Sequence, residues 1–564
     1  MKQLKHLFAL MCVIACAITV RAQVSPVQAQ KLESLLALKV SPVSGAALQI
    51  PTITWGGDMA AVMALHRNYF QEEGLAVKLV HEDDFAKQAQ GVLQGNSPFL
   101  RGSLDQVIGA ASAFKKAGLD LIVLHQYTFS AGGDVLVVRE GIKNIADLRG
   151  KKIAIQTWGP HINYAATVLE DAGLKPGDFT FVYFKELTIP KADTGGKIID
   201  PVSAFQADAS IAAVFCISPD AATLTSGGKI GSGTEGSVKG AKIMLSTKTA
   251  SQVIVDVLAV RKDWFDGNKN KAFGVVHALH RGQEALEALV KSKGAELQQV
   301  LAKGAESFLG TATATADIEG MITDCRFVGL SGDNQFFNSL GTTRNLPTMS
   351  LEIGHRLSAM GLISAMVVPQ GAQWDYGKLA VGLKDNGGNL ASTRINTTAV
   401  AQAFEAKIAA EAETFSADGT LFALEVHFKP NQEVFGLTEY GKDFEAALKL
   451  SQNYAGAVLL IEGHGDTKRL NDLRAQGKSE TEIALVEQAL RNVSMKRAEA
   501  VKAAYIAFCQ SKGINTASSA IVAVGMGVKT PKVAVPKSDL DMAANRRVEF
   551  KIKNIEAEAG LFNE

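Results

Sequence analysis

Two oppositely charged side chains near the carboxyl end of the chain have the types and the setting to bind a zwitterion. Asp466 ends the run 459–466, in which an apolar strand leads into a glycine turn that exposes this carboxylate. Arg497 lies on a predicted helix between Val493 and Val501, each four residues away and therefore on the same helical face. An arginine on such a stripe needs an acidic partner or ligand, because an unpaired desolvated charge is costly. We therefore expect Asp466 and Arg497 to hold a ligand that carries both an ammonium and a carboxylate.

Four ordered motifs surround this pair. They are Gly463-His464-Gly465-Asp466, Ser494-Met495-Lys496-Arg497-Ala498, Gly525-Met526-Gly527 and Asn545-Arg546-Arg547-Val548-Glu549. The region that carries them, about 420–553, resembles the OmpA-like peptidoglycan-binding domain. The resemblance implies that Asp466 and Arg497 hold the diaminopimelate of the cell-wall peptide, and that Asn545 and Arg546 belong to the same binding motif.

Two features depart from the pattern of that family. Arg497 follows Asp466 by 31 positions (497 minus 466), which is more than the family usually has, and the polar run 474–487 is inserted between them. Leu490 stands where the family has an asparagine. The alternative is a surface carboxylate and a helix-capping arginine in a domain that no longer binds the wall.

The composition is that of a globular protein with room for about three domains. Of the 564 residues, 47% are hydrophobic and 20% are charged, and the net charge is +1. A charge so close to zero gives no field that favours nucleic acid or an anionic membrane surface. We therefore expect no nucleic-acid partner.

The amino terminus predicts export to the periplasm or cell envelope. Residues 1–22 form a signal peptide, with lysines before an apolar run and a small-residue cleavage site ending at Ala22. A less favoured alternative is a lipoprotein, because residues 13–16 resemble a lipobox that would lipidate Cys16.

The later cysteines are far apart, which favours buried free thiols over disulfides or a metal site. They are Cys216, Cys325 and Cys509.

Residues 50–370 alternate short apolar or β-branched runs with helical patterns. This alternation predicts parallel sheets between helical layers, with ligands where strand ends meet helix starts.

Residues 23–48 instead predict an N-terminal tether with one short helix over 27–38. We expect a linker with a helical spacer over 371–418, because Val400, Phe404 and Ile408 recur at a spacing of four.

Segments of the alternating region resemble, in order, the periplasmic solute-binding proteins of the nitrate/sulfonate/thiamine-precursor type. The matching segments include Trp-Gly-Gly-Asp-Met at 55–59, Arg-Gly-Ser-Leu-Asp at 101–105, 145–155, Thr-Trp-Gly-Pro-His at 157–161, 206–220 and 246–261. The resemblance implies two α/β lobes over 49–370 that close on a small molecule. The first lobe would span about 49–140 and 250–370, and the second about 141–249. An inner-membrane ABC permease would be a partner.

Candidate ligand contacts lie in turns at helix starts, where free backbone amides and the helix dipole favour anions. They are Trp55, Gly56, Asp58, Ser103, Asp105, Thr157, Trp158, Gly159, Ser218, Asp220 and Asp256. The tryptophans could stack on a flat ligand, and the carboxylates could take an ammonium or a hydroxyl. Alternatively, Asp58 and Asp105 stabilise helix starts, Trp55 is a core residue, and Asp256 is a hydrogen-bonding residue at a hinge.

The last domain, 419–554, shows strand alternation at both ends. Phe422, Leu424, Val426 and Phe428 alternate with polar residues, as do Val548, Phe550 and Ile552, which predicts half-buried strands. With two helices between them, the order is β-α-β-α-β-β. The predicted fold is therefore an α/β two-lobed periplasmic-binding-protein fold, followed by a C-terminal α+β OmpA-like sandwich and a tail over 555–564.

The motifs of common enzyme classes are missing from the sequence, including the Gly-x-Ser-x-Gly elbow and the phosphate loop. His464 within the Gly-His-x-Asp pattern is more simply a turn residue than a general base. We expect no enzyme, no cofactor and no metal. The sequence favours an exported solute-binding protein for an anionic or zwitterionic ligand, anchored to peptidoglycan. The alternative is a structural envelope protein whose bilobed domain binds no ligand.

Overall fold

The computed structural model describes residues 23–190, 194–384, 397–417, 420–427, 437–516 and 520–554. The predicted signal segment 1–22 with Cys16 and the predicted tail 555–564 lie outside these residues. Within them, no helix combines the length and the apolar composition that a membrane crossing requires. The three later cysteines are free and buried, which confirms the expectation from their spacing.

Strands and helices alternate through the first two thirds of the described chain. The strands are β1 Gln23–Val24, β2 Leu48–Thr52, β3 Val77–His81, β4 Phe99–Ser103, β5 Leu121–Ser130, β6 Asp134–Val138, β7 Lys152–Gln156, β8 Thr180–Phe184, β9 Lys197–Ile198, β10 Ile211–Ile217, β11 Lys242–Ser246, β12 Val255–Arg261, β13 Cys325–Phe327, β14 Gln370–Gly371, β15 Thr420–His427, β16 Val458–His464, β17 Ile521–Gly527 and β18 Arg547–Lys553.

The helices are α1 Met59–His66, α2 Tyr69–Glu72, α3 Phe85–Leu93, α4 Leu104–Lys116, α5 His161–Asp171, α6 Pro201–Ala207, α7 Ser218–Leu224, α8 Lys262–Gly267, α9 Lys269–Ser292, α10 Ala295–Leu309, α11 Thr315–Thr323, α12 Gly329–Asn338, α13 Leu346–Ala359, α14 Tyr376–Leu379, α15 Thr397–Ala417, α16 Leu437–Asn453, α17 Lys468–Ala475, α18 Glu480–Ser511 and α19 Asp539–Asn545. Short 3₁₀ turns occur at Leu32–Ser34, Gly56–Asp58 and Ile145–Leu148.

The first lobe is built on a sheet of order β13-β5-β12-β4, and β14 also pairs with β5. Every residue of β5 is buried, which requires cover on both faces of the sheet. Because side chains alternate along a strand, Val123 packs in the cluster that contains α4, and Leu124 packs in the cluster that contains α9.

The second lobe is built on a sheet of order β11-β6-β10-β7-β8, in which β7 runs parallel to both neighbours. The chain crosses between the lobes at 131–133 and 247–254, and we call these two segments the hinge. The predicted boundary near residue 140 is therefore wrong. β6 pairs with β10 through Val137 and Val214, because its apolar residues fill the core of the second lobe.

Residues 23–48 are packed on the lobes and do not form the predicted tether. β1 pairs with β9, and Val27 bridges to Tyr183 of the second lobe. The predicted helix over 27–38 is a single 3₁₀ turn at Leu32–Ser34. Leu32 and Leu36, whose spacing resembles a helical stripe, are instead buried in the cluster around α4.

The predicted linker divides between the two neighbouring domains. In the first lobe, β14 pairs with β5, and the Trp374 indole nitrogen donates to the Leu124 carbonyl over 2.8 Å. The helix expected from the spacing of four is α15. Its Val400, Phe404 and Ile408 are buried against Val458 and other apolar residues of the C-terminal sheet, so α15 belongs to that domain.

The C-terminal domain has a mixed sheet of order β15-β18-β16-β17, in which β16 and β17 are parallel. The order β-α-β-α-β-β is present, with α17 and α19 added. The polar face of β18 is not exposed as predicted. Arg547, Glu549 and Lys551 are 5–7% exposed, because they form ion pairs with one another and with Glu462 on β16.

Candidate functional site

A buried ion triad fixes the turn after β2 to two strands of the first lobe. Arg101 on β4 donates through Nη2 to Asp58 Oδ2 over 2.7 Å and through Nη1 to Asp256 Oδ1 over 3.0 Å. Arg101 and Asp58 are fully buried, and burial raises the pKa of Asp58 to about 6. Asp256 also accepts from the Thr128 hydroxyl of β5 over 2.9 Å. Asp58 and Asp256 are therefore both already paired with groups of the protein itself.

Asp105 connects the lobes at the start of α5. It lies in the first turn of α4 and accepts from the backbone amide of Asn163, in the second lobe, over 3.0 Å. Ser103 caps α4 together with Gln106 and donates its hydroxyl hydrogen to Asp105. Burial raises the pKa of Asp105 to about 6. An internal carboxylate thus fills the helix start at which we expected a bound anion.

Trp158 of the second lobe packs against α4 of the first lobe. Its backbone has φ +52°, and its ring covers Gly109 of α4, where an added Cβ would lie 2.2 Å from the indole. Its indole nitrogen donates to the Gln30 carbonyl over 2.8 Å, and its carbonyl accepts from Gln106 over 2.6 Å. Trp158 therefore has packing partners on the protein. Gly159 is buried beside it, and Thr157 remains part-exposed.

A second set of residues surrounds the hinge and stays part-exposed. Trp55 donates from its indole nitrogen to Thr128 over 3.1 Å, and its ring covers Gly133 of the hinge. Ser218 at the start of α7 donates to Asp324 Oδ2 over 2.9 Å, which joins the second lobe to the first. We call Trp55, Ser218, Asp220, Asp324 and Lys248 the cleft mouth. Gly56 is required for packing, since an added Cβ would lie 2.2 Å from the Met321 carbonyl oxygen.

The cleft mouth is acidic. Burial raises the pKa of Asp220 to about 6, and its Oδ2 is buried without a hydrogen-bond partner in the structure. Burial also raises the pKa of Asp324. Lys248 lies near Asp324 at Gly132 of the hinge. Asp324 stands in no recognisable motif, and Lys248 lies within the matching segment 246–261 but was not among the predicted ligand contacts.

The C-terminal candidate site lies at the carboxyl end of β16. Asp466 is about one quarter exposed, and its Oδ2 accepts from Arg546 Nη1 over 3.2 Å. Arg497 is part-exposed on α18. Val493 is 45% exposed whereas Val501 is fully buried, so the apolar stripe predicted through Arg497 does not include Val493. The helix face is therefore exposed at Val493 and becomes buried towards Val501.

The inserted polar run is folded into helices. Arg474 lies in the last turn of α17 and contacts Glu487 on α18 over 2.9 Å, so the insertion adds a helical hairpin beside the site. Asn545 has a structural role. It is fully buried, its Oδ1 accepts from the Val533 amide over 2.9 Å, and its Nδ2 donates to the Val533 carbonyl over 2.7 Å.

The segment 449–456 docks the C-terminal domain on the two lobes. The Gly456 amide donates to the Thr249 carbonyl of the hinge over 3.2 Å, and the Tyr454 hydroxyl donates to Asp171 of the second lobe over 3.0 Å. A cavity of about 500 Å³ lies between this segment and the first lobe. It exists only in the docked arrangement, because both domains line it.

Comparison with known proteins gives one family match. A family model described as NMT1/THI5 like matches residues 58–289, which is less than half of the chain. No curated protein matches the sequence.

Solved structures that are similar to the chain include three periplasmic binding proteins. The aliphatic sulphonate binding protein SsuA from Escherichia coli is 18% identical, covering 62% of this chain and 99% of its own, with a TM-score of 0.40. The alkanesulfonate-binding protein SsuA from Xanthomonas axonopodis pv. citri is 15% identical, covering 58% and 100%, with a TM-score of 0.40. The nitrate-binding protein NrtA from Synechocystis PCC 6803 is 13% identical, covering 61% and 90%, with a TM-score of 0.41. These likenesses assign no ligand to this chain.

Proposed function

We propose that the chain is an exported solute-binding protein that its C-terminal domain holds at the cell wall. The observation that carries the proposal is the pairing of a two-lobed α/β domain, joined by a two-segment hinge, with a part-exposed Asp466 beside Arg546. Two lobes on a hinge can close around a small molecule. The NMT1/THI5-like match over 58–289 supports the solute-binding half. An ABC permease or a sensor in the inner membrane would receive the ligand.

The charges favour a ligand with an ammonium group over a simple anion. At the cleft mouth, Asp324 lies near Lys248, whereas Asp220 lies near a second carboxylate, that of Asp200. Asp105 already occupies the start of α5, where an anion would otherwise bind. A cation or zwitterion would supply the donor that the buried Asp220 Oδ2 lacks. A simple sulfonate or nitrate would meet carboxylates instead.

In the C-terminal domain, Asp466 would take the ammonium of diaminopimelate, and Arg497 would take its carboxylate. The Arg546 guanidinium 3.2 Å from Asp466 supports this role, because it orients the carboxylate at the end of the strand. The domain would hold the protein close to its membrane partner and so raise its local concentration there.

A second candidate function is a structural envelope protein without a ligand. The observation that favours it is the pairing of Asp58, Arg101 and Asp256 with one another, together with the Asp105 contact to α5. These charged side chains, which could otherwise bind a ligand, already have their ion pairs and hydrogen bonds within the protein. The two functions differ in whether any small molecule stabilises the lobes.

The anchoring half is tested by pulldown with purified diaminopimelate-containing peptidoglycan. Asp466→Ala and Arg497→Ala should each weaken binding at least tenfold, since a charged group of the ligand loses its partner, at about 1–3 kcal/mol. Asp472→Ala is the matched control, because Asp472 is an exposed carboxylate on α17 that pairs with Lys468. Equal pulldown of Asp466→Ala and the control would contradict the anchor.

The ligand half is tested with ethylamine, ethanesulfonate and taurine, which share a two-carbon frame and differ in charge. Each is titrated into the purified protein by calorimetry and thermal shift, with wild type and Asp324→Asn. We expect ethylamine or taurine to bind more tightly than ethanesulfonate, and the Asp324→Asn substitution to weaken that binding. Tightest binding of ethanesulfonate would contradict the acidic-cleft argument. No response to these probes or to a broad metabolite panel would favour the structural alternative.

A further inference from the structure

Two histidines and one aspartate meet in the interior of the first lobe, away from the cleft mouth. His125 lies on β5, His280 on α9 and Asp333 on α12. They are 1%, 2% and 0% exposed, and one ligand atom from each lies within 4.8 Å of the other two. The sequence predicts no metal site here, because these residues are far apart in the chain and form no motif.

Several ring nitrogens of this cluster make no hydrogen bond. Among the residues that the structure describes, neither ring nitrogen of His280 has a hydrogen-bond partner, and His125 Nδ1 has none either. Each buried polar group without a partner costs about 1–3 kcal/mol, so native structures rarely leave several of them together. Both oxygens of Asp333, in contrast, accept hydrogen bonds. Oδ1 accepts from the Gln126 amide over 2.7 Å, and Oδ2 accepts from the Tyr376 hydroxyl over 3.1 Å.

The distances between the three residues fit a shared ion better than direct hydrogen bonds. His125 Nδ1 lies 3.3 Å from Asp333 Oδ1, and His280 Nε2 lies 3.7 Å from Asp333 Oδ2. Direct N–H···O hydrogen bonds are about 2.7–3.2 Å long. Ligands bound tetrahedrally at about 2.0–2.1 Å from a metal are roughly 3.4 Å from one another. The two histidine-to-aspartate distances are therefore close to the edges of a metal coordination shell.

The charges around the cluster also favour a cation. Asp333 adds a carboxylate close to the triad, in which Asp58 and Asp256 share the single cation Arg101. The Tyr127 ring connects the two groups, with Arg101 4.8 Å from its centroid on one side and the His125 ring at 4.8 Å on the other.

We propose that His125, His280 and Asp333 bind one divalent transition-metal ion of the zinc class, which holds β5, α9 and α12 together. Two imidazoles and one carboxylate are a donor set that such ions prefer. Gln126 and Tyr376 orient the carboxylate from outside, as second partners of metal ligands do. The proposal is independent of the ligand in the cleft and of wall binding. Because the site is buried, its role is to stabilise the fold.

A second cluster of similar composition provides a contrast. Glu462, His464 and Glu549 also meet in the C-terminal sheet, but Lys551 Nζ lies 2.5 Å from Glu462 and 2.8 Å from Glu549. The two carboxylates are already paired with two cations, Lys551 and Arg547. We therefore assign the ion to the first cluster.

The test uses the full-length chain, unfolded in guanidinium with a chelator and then refolded with or without Co²⁺ or Zn²⁺. Refolding gives the ion access to the buried position. Bound metal is counted by elemental analysis, cobalt coordination is read from visible absorption, and thermal unfolding is recorded. We expect one ion per chain, a tetrahedral cobalt spectrum, and a higher melting temperature with metal than without.

The variants are His280→Gln and Asp333→Asn, with His277→Gln as the control on the same helix. His277 is part-buried and contacts Glu73 and a backbone carbonyl, away from the cluster. We expect the first two to bind cobalt at least tenfold more weakly and to lose the metal-dependent rise in melting temperature, while the control keeps both. A wild-type chain that refolds without taking up cobalt overturns the proposal, even where the variants fail to fold. Uptake by His280→Gln equal to that of wild type also overturns it.

Discussion

Asn453 of the C-terminal domain donates through Nδ2 to Asp171 Oδ2 of the second lobe over 3.1 Å. Its Oδ1 accepts from Arg344 of the first lobe, so one buried amide contacts both lobes. The hinge contact of Gly456 lies three residues further along the chain. A change in the angle between the lobes must therefore break or rebuild contacts with the C-terminal domain. Ligand binding and wall anchoring would be coupled through this segment.

Gly456→Ala should undock the C-terminal domain. An added Cβ would lie 1.7 Å from the Lys248 carbonyl oxygen, so the backbones of the two domains must separate. We expect a larger radius of gyration by small-angle X-ray scattering, and faster proteolysis between the domains. Gly441→Ala is the control, because Gly441 on α16 has open space around its Cβ position. An unchanged scattering profile for Gly456→Ala would mean that the domains are not docked in solution.

Arg101→Met should destabilise the first lobe strongly. It leaves Asp58 and Asp256 buried without their cation, and removing one partner of a buried pair typically costs about 3–5 kcal/mol. Urea unfolding followed by circular dichroism measures the change. Lys115→Met is the control, since its pair with Asp120 is exposed and contributes about 1 kcal/mol or less. Similar midpoints for the two variants would show that the triad does not hold the lobe.

Asp105→Asn should change how stability depends on pH. Burial raises the pKa of Asp105 to about 6 in the folded state, so the folded state binds more protons than the unfolded state between about pH 4 and 6. The contribution of Asp105 to the free energy of unfolding is therefore greatest below this window and falls as pH rises through it. An asparagine keeps an acceptor for the Asn163 amide without this loss.

The difference between Asp105→Asn and wild type is measured by urea unfolding at several pH values. We expect the free energy of unfolding of the variant, relative to that of wild type, to rise by up to about 3 kcal/mol between pH 4 and pH 7. Asp120→Asn, at an exposed position, serves as the control and should show little change. A constant difference between Asp105→Asn and wild type across this range would contradict the raised pKa.

Asn545→Ala should reduce stability before it reduces wall binding. The substitution removes both hydrogen bonds to the Val533 backbone and leaves that amide and carbonyl without a side-chain partner, which costs about 2–4 kcal/mol in total. We expect a lower melting temperature, with peptidoglycan pulldown retained at low temperature. Loss of pulldown in a fully folded variant would instead place Asn545 in the binding site.

The order of elements was largely readable from periodicity. Alternation along β15 and β18 predicted those strands, and the spacing of Val400, Phe404 and Ile408 predicted α15, because side chains on one face must be apolar where that face is buried. The position of the hinge was not readable. β6 is as apolar as its neighbours, and the pattern of one strand does not reveal which of two sheets it joins.

The sequence by itself determined which residues carry charge and the order of most strands and helices, and it predicted two different kinds of domain in the chain. Only the tertiary structure decided what each charge faces. Asp105 contacts α5 across the lobes, and Asp333 meets two histidines that lie far from it in the chain. The reason is that a buried charge takes its free energy from neighbours within a few ångströms, and those neighbours come from distant parts of the chain.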